Sequence, residues 1–250
     1  MRTDPTHAVV SAAEWLEARR ALLAKEKAFS RLREELAQQR RALPWERVIK
    51  PYRFATPEGA ASLAELFGPH SQLIVYHFMF APQAEAGCAH CSFWADHYDG
   101  MLSHLAARDV AFTAVSRASL ARLEAFRARM GWRFRWVSSD DGDFNYDFQA
   151  SFRPEARASG QVFYNYAEGP AVASDREGIS VFCRDRAGTV FHTYSCYARG
   201  IDMMNGTYQF LDLTPRGRDE DPQNPQSWVR YHDRYGAAAA AKQGSSAGAT

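Results

Sequence analysis

The sequence predicts an α/β fold, and three observations carry the prediction. Residues 73–80 form a nearly continuous apolar run whose length suits a strand buried on both faces. Helical and strand patterns then alternate through residue 137, giving a β-α-β-α-β unit. Farther on, residues 179–184 and 189–194 flank Asp185-Arg186-Ala187-Gly188 and read as a hairpin.

Taken in order, the chain opens with a long amphipathic helix. Ser11-Ala12-Ala13-Glu14 fits a capping box, in which Ser11 caps backbone N–H groups and Glu14 reaches back. Trp15, Leu22, Phe29 and Leu36 recur every seven residues, Leu16, Leu23 and Leu32 widen the stripe, and the helix ends before Pro44. The expectation is packing against its own domain. A homodimer arm is the alternative, with a second seam position weakened by Ala18, Lys25 and Gln39. Residues 48–54 read as an edge strand interrupted by Pro51, Thr56-Pro57-Glu58-Gly59 as a turn, and Ser62 as the cap of a short helix through Phe67.

After the apolar strand and a small-residue loop comes Cys88-Ala89-His90-Cys91, leading into a helical pattern through Leu105. Residues 110–116 form the next strand, 120–130 a helix ended by Gly131, and 134–137 a short strand. Residues 138–178, approximately, mix aromatic and polar side chains and are expected as an irregular insertion over one edge or mouth of the core. The expected organisation is therefore an N-terminal helix over 1–44, one domain over 45–235 with that insertion, and a disordered Ala/Gly/Ser tail over 236–250.

Composition narrows the function. The 250 residues are 46% hydrophobic and 24% charged, an ordinary globular balance that can bury a full core. Thirty basic against twenty-nine acidic residues give a net charge of +1, which argues against nucleic acid as the default partner. No apolar run approaches the ~20 residues of a membrane helix, and the start carries no signal-peptide core. The expected location is the cytosol, with no membrane partner. Four cysteines are too few for a disulfide scaffold, so the C-x-x-C pair points to redox chemistry or metal binding.

At the start of a helix a thiolate is favoured by unpaired N–H groups and the positive dipole end. Cys88 gains most and is the expected nucleophile, with Cys91 as the more buried resolving thiol. A protonated His90, or its ring N–H, would stabilise the Cys88 thiolate further and make the disulfide a stronger oxidant. His77, in the preceding strand, reads equally as a base for the resolving thiol or as a core histidine. Zinc would need two further ligands, and no second C-x-x-C exists. Cys183 reads as a small packed hydrophobe, Cys196 as a third thiol, and Arg199, Asp202, Arg216 and Arg218 as exposed ion-pairing residues. No cofactor and no bound metal are expected. The alternatives to an enzyme are a binding module with structural or zinc-bound cysteines, or, within thiol chemistry, a thiol-dependent peroxidase.

Several blocks carry a resemblance: Leu73-Ile74-Val75-Tyr76-His77-Phe78-Met79-Phe80, Cys88-Ala89-His90-Cys91-Ser92-Phe93-Trp94-Ala95-Asp96, Val190-Phe191-His192-Thr193-Tyr194-Ser195 through Tyr197-Ala198-Arg199-Gly200, and Leu211-Asp212-Leu213-Thr214-Pro215-Arg216-Gly217-Arg218. With them the chain resembles a bacterial thioredoxin-like family of unknown function, described as predicted dithiol–disulfide oxidoreductases. The resemblance covers residues 10–220, approximately. It implies a thioredoxin-like fold, a central mixed sheet flanked by helices, with a peroxiredoxin-like N-terminal extension. It also implies that Cys88 and Cys91 are the redox pair and that His77 stands where thioredoxins carry a buried acid. The implied partners are a thiol or disulfide substrate and a reductant. The sequence departs from thioredoxins where a proline precedes the hairpin strand: Glu177-Gly178-Ile179-Ser180 stands there instead.

Overall fold

The computed structural model describes residues 7–236, apart from 141 and 172. The expected tail over 236–250 lies outside them, save its first residue. Helix α1 (Ala12–Arg41) starts at the capping box: the Ser11 hydroxyl accepts from Glu14 N–H, and the Glu14 carboxylate accepts from Ser11 N–H. None of its thirty residues is buried: the helix touches its own domain at its C-terminal end, where Arg40 lies over Tyr194, and its apolar stripe is not packed there as expected.

The expected strand over 48–54 is two separate elements, because Pro51 removes a ladder donor and the chain changes direction there. Strand β1 (Glu46–Arg47) caps one sheet edge. Strands β2 (Arg53–Thr56) and β3 (Gly59–Ser62) form a hairpin at the other edge, through the expected turn. Ser62 caps α2 (Leu63–Leu66) with a second capping box. Strand β4 (Gln72–His77) feeds the loop before the cysteines, and α3 (Ala89–Ala95) follows them. The helical pattern expected to run unbroken to Leu105 breaks after Ala95 and resumes as α4 (Leu102–Ala106). Strand β5 (Val110–Ser116), α5 (Leu120–Met130) and β6 (Arg135–Ser138) complete the alternating unit, with α5 closed by Gly131 at φ 68°.

The insertion is more regular than expected. It holds α6 (Phe144–Asp147), α7 (Pro154–Ala158) and a hairpin of β7 (Gln161–Tyr164) and β8 (Ala167–Pro170). That hairpin turns on Asn165 and Tyr166, both at positive φ (52° and 64°), as a two-residue connection between right-twisted strands demands. Strands β9 (Gly178–Arg184) and β10 (Val190–Tyr197) form the expected later hairpin, and α8 (Gly206–Leu211) follows.

Eight strands share one sheet in the order β1-β10-β9-β4-β5-β6-β2-β3. Strands β4, β5 and β6 are parallel, whereas β9 runs antiparallel beside β4. This mixed sheet with its crossover helices is the thioredoxin-like arrangement that the resemblance implies. Each face has its own core. One holds Phe78, Phe93, Trp94, Tyr98, Phe126 and Trp136, so α3 and α5 pack there. The other holds Phe54, Phe67, Leu73, Val75, Phe144 and Phe182, so α2 and α6 pack there. Alternation along β4 therefore sends Tyr76 to the α3 side and His77 to the α6 side.

Candidate active site

The two motif cysteines sit where the switch from strand to helix period places them. Cys88 is the N-cap residue of α3, and its N–H donates to the Met79 carbonyl at 3.1 Å. The loop ahead of it is held tightly: a Cβ on Gly87 would lie 2.8 Å from the Phe78 ring, and Tyr231 Oη donates to the Gly87 carbonyl at 2.7 Å. On the helical side, Ser92 N–H and Ser92 Oγ both donate to the Cys88 carbonyl at 2.9 Å.

Both cysteines are free thiols, and their surroundings separate them. Cys88 is half-buried and Cys91 is buried. The Cys91 thiol hydrogen-bonds to Cys88 and brings the Cys88 pKa down to about 7, helped by the backbone N–H groups of Cys91 and His90, while burial and the Glu177 carboxylate oppose the shift. Burial pushes the Cys91 thiol well above its ordinary value, and its bond to Cys88 and the charge of Glu177 push the same way. Met79 N–H donates to Cys91 Sγ at 3.5 Å, and Tyr76 Oη to the Cys91 carbonyl at 3.1 Å. A thiolate-prone outer sulfur thus lies beside a protonated inner one.

A cleft of about 240 Å³ opens onto this pair, lined in part by His90, Trp94, Arg176, Glu177, Arg199 and Asp202. His90 is exposed at the rim, beside the dithiol as expected. His77 is elsewhere. It is fully buried on the opposite face of the sheet, stacked 5.5 Å from Phe144, with Nε2 bonded to Ser180 Oγ at 2.9 Å. From there hydrogen bonds run to Ser195 Oγ (2.8 Å) and on to His192 Nε2 (2.7 Å), whose Nδ1 lies 3.5 Å from Glu46. Of the two readings of His77, this is the core histidine, and the reading as a base for the resolving thiol is corrected: a residue one place along β4, Tyr76, points at the dithiol, and His77 points away. Desolvation holds His77 neutral, its pKa lowered to about 3.

The acidic group that acts on both thiols is Glu177, in the lining of the same cleft, and nothing local in the sequence singles it out. Its one signal was its position, where thioredoxins have proline. The insertion braces it: Tyr164 Oη donates to the Glu177 carbonyl and accepts from Ala198 N–H, each at 2.9 Å. Arg117 and Asp175, 2.8 Å apart and nearly buried, tie the preceding residues to the core. Gly178 must be glycine, because a Cβ there would collide with the Tyr197 ring. The backbone here contains no cis peptide among the described residues.

The expected ion-pairing cluster forms in part and borders the cleft: Arg199 and Arg218 reach Asp202 at 3.3 and 3.4 Å, and Arg218 grips Asp212 at 2.8 Å. Cys196 is buried in the same core as Cys91, and half-buried Cys183 lies at the far end of β9, paired in register with Gln72. Among the described residues no group of three or more His, Cys, Asp or Glu side chains is placed to hold a metal ion. No helix among them is long and apolar enough to cross a membrane.

Fold and site together define a thioredoxin-fold protein with a C-x-x-C pair at the start of its first crossover helix. The chain belongs to the family described as bacterial protein of unknown function (DUF899), which it matches over residues 4–235. No curated protein matches it. Similar solved structures include a cysteine mutant of Xanthomonas campestris peroxiredoxin Q, at 14% identity and TM-score 0.45, covering 67% of this chain and 98% of that one. Another is peroxidoxin BcpB of Mycobacterium tuberculosis, at 12% identity and TM-score 0.42, covering 66% and 95%. Likenesses this remote carry no activity over to this chain.

Proposed function

We propose that the protein is a cytosolic thiol–disulfide oxidoreductase with Cys88 as nucleophile and Cys91 as resolving thiol. The observation that carries this reading is the unequal placement of the two thiols: Cys88 is half-buried at the N-cap of α3 and Cys91 is buried in its first turn, which lowers the one thiol and raises the other. The Cys88 thiolate attacks one sulfur of a substrate disulfide, forming a mixed disulfide and releasing the other sulfur as a thiolate. Cys91 loses its proton, attacks Cys88 Sγ, and expels the second substrate sulfur. The products are a Cys88–Cys91 disulfide and a reduced substrate, and an external dithiol or thiol reductant returns the enzyme to its starting state. His90, at the rim, tunes Cys88 electrostatically. Glu177 accepts the Cys91 proton, in the place first expected of His77.

The test is the reduction potential of the couple, measured against glutathione buffers. The expected result is a reversible two-electron couple between about −120 and −270 mV, on the oxidising side of thioredoxin because the reduced form is stabilised at Cys88. A pair with no reversible couple overturns the reading in favour of structural cysteines.

Glu177→Gln removes the proton acceptor while keeping its shape. We expect the resolving step to slow by about tenfold to a hundredfold, as suits loss of a general base, with Cys88 alkylation not slowed and its midpoint moved slightly down because the opposing charge is gone. Stopped-flow decay of the mixed disulfide across pH checks this. Equal slowing of both steps would point to a structural role for Glu177.

A further inference from the structure

We infer that α1 is the dimerisation element of this protein and that the occupant of its apolar stripe is the α1 of a second copy. The inference is independent of the redox reading.

Helix α1 is about 45 Å long at the standard rise, yet buries no residue. Trp15 and Phe29 are each 60% exposed, and Leu16, Leu22, Leu23, Leu32 and Leu36 are exposed as well. Helices of globular proteins owe most of their stability to an apolar face packed on something. An apolar stripe of this length on an isolated monomer is far larger than scattered surface hydrophobics. Covering Trp15, Leu22, Phe29, Leu32 and Leu36 hides on the order of 500 Å² per copy, more than half of the roughly 800 Å² per partner of a stable association.

The sequence of the stripe favours a second copy over an unrelated partner. Trp15, Leu22, Phe29 and Leu36 occupy the same heptad position, so the stripe is self-complementary along a two-fold axis. Flanking charges agree with a parallel pairing. Heptad geometry sets Glu14 against the partner subunit's Arg19, and Glu35 against the partner subunit's Arg40. The intervening flanking pairs set Ala21 against the partner subunit's Glu26 and Ala28 against the partner subunit's Arg33, so no like charges meet at the flanks; within the seam Lys25 faces its own copy, a layer that fixes register at a cost in stability.

The apolar surface also continues past the helix. Leu43 is exposed and lines a cleft of about 760 Å³ with Pro44, Tyr166 and Tyr194 at the foot of α1. The Arg40 guanidinium lies 5.6 Å from the Tyr194 ring, which anchors the last helical turn to the domain. That cleft shares Ala198 and Arg199 with the dithiol cleft, so the foot of each helix adjoins the rim of its own active site.

Sedimentation equilibrium of the full reduced chain, from about 1 to 50 μM, tests the inference. The expected mass is twice that of the chain, and the single-chain mass throughout the range overturns it. Leu22→Glu/Phe29→Glu is expected to sediment as one chain while its near-UV circular dichroism and Cys88 alkylation rate match the parent, which separates lost pairing from lost folding. Retention of the doubled mass by that folded variant also overturns the inference. Charge reversal tests the flanking pair that leaves the capping box of Glu14 intact: E35R chains and R40E chains should each pair more weakly than the parent, and a mixture of the two should restore pairing. Failure of the mixture to do so overturns the parallel arrangement.

Discussion

Cys88→Ser is expected to abolish turnover of a disulfide substrate, by at least about a thousandfold, because a serine hydroxyl stays protonated where the thiol ionises. Cys91→Ser behaves differently. It keeps the first half-reaction and stalls at the mixed disulfide, visible in intact mass spectra as one substrate half added per chain. The asymmetry follows from the site: the outer sulfur titrates near 7, and the inner one is held protonated by burial. The alkylation rate of Cys88 should accordingly reach half its plateau near pH 7 in the parent. It should move upward in Cys91→Ala, which loses the largest stabilising contact. A parent midpoint at the ordinary thiol value, or equal trapping by both serine variants, would refute the assignment of roles.

Stability should fall steeply in acid because of His77. The group is neutral in the folded protein, its pKa depressed from 6.5 to about 3 by burial, while in the unfolded chain it titrates normally. Above pH 6.5 both states carry the neutral ring and nothing is lost. As pH falls below 6.5 the unfolded state binds a proton that the folded state refuses, and stability declines by about 1.4 kcal/mol per pH unit. The loss from this residue approaches about 5 kcal/mol at pH 3 and levels off below it. Urea unfolding at pH 7, 5.5 and 4.5 reads the effect. His77→Gln is expected to start less stable at pH 7, since the contact with Ser180 is disturbed, and to show a slope shallower by that amount between pH 6 and 4.5. Parallel slopes would show that His77 is protonated or hydrated in the folded state.

The contrast between His77 and Glu177 shows what was legible in the sequence. The strand-to-helix change of period located the cysteines, and the Ser11 and Ser62 capping boxes located two helix starts, because local hydrogen bonds and periodicity act over a few residues. Strand alternation puts Tyr76 and His77 on opposite faces, but nothing local says which face receives α3. Glu177 reaches the thiols only through the antiparallel pairing of β9 with β4, a contact between segments about a hundred residues apart. The β7–β8 hairpin is hidden from a local reading for a related reason: Asn165 and Tyr166 adopt positive φ without a glycine to announce it. For α1, the stripe was plain in the sequence, and what covers it was not.

The bond from Tyr231 to the Gly87 carbonyl links residues 144 positions apart. During synthesis at about 5–20 residues per second, Cys88 and Cys91 leave the ribosome roughly 7 to 30 s before the tyrosine that clamps their loop. For that interval the nascent chain presents Cys88 on a loop lacking its last restraint. Oxidation by passing disulfides should therefore be faster on stalled translation intermediates ending before Tyr231 than on the released protein, and equal rates would show that the loop closes without that bond.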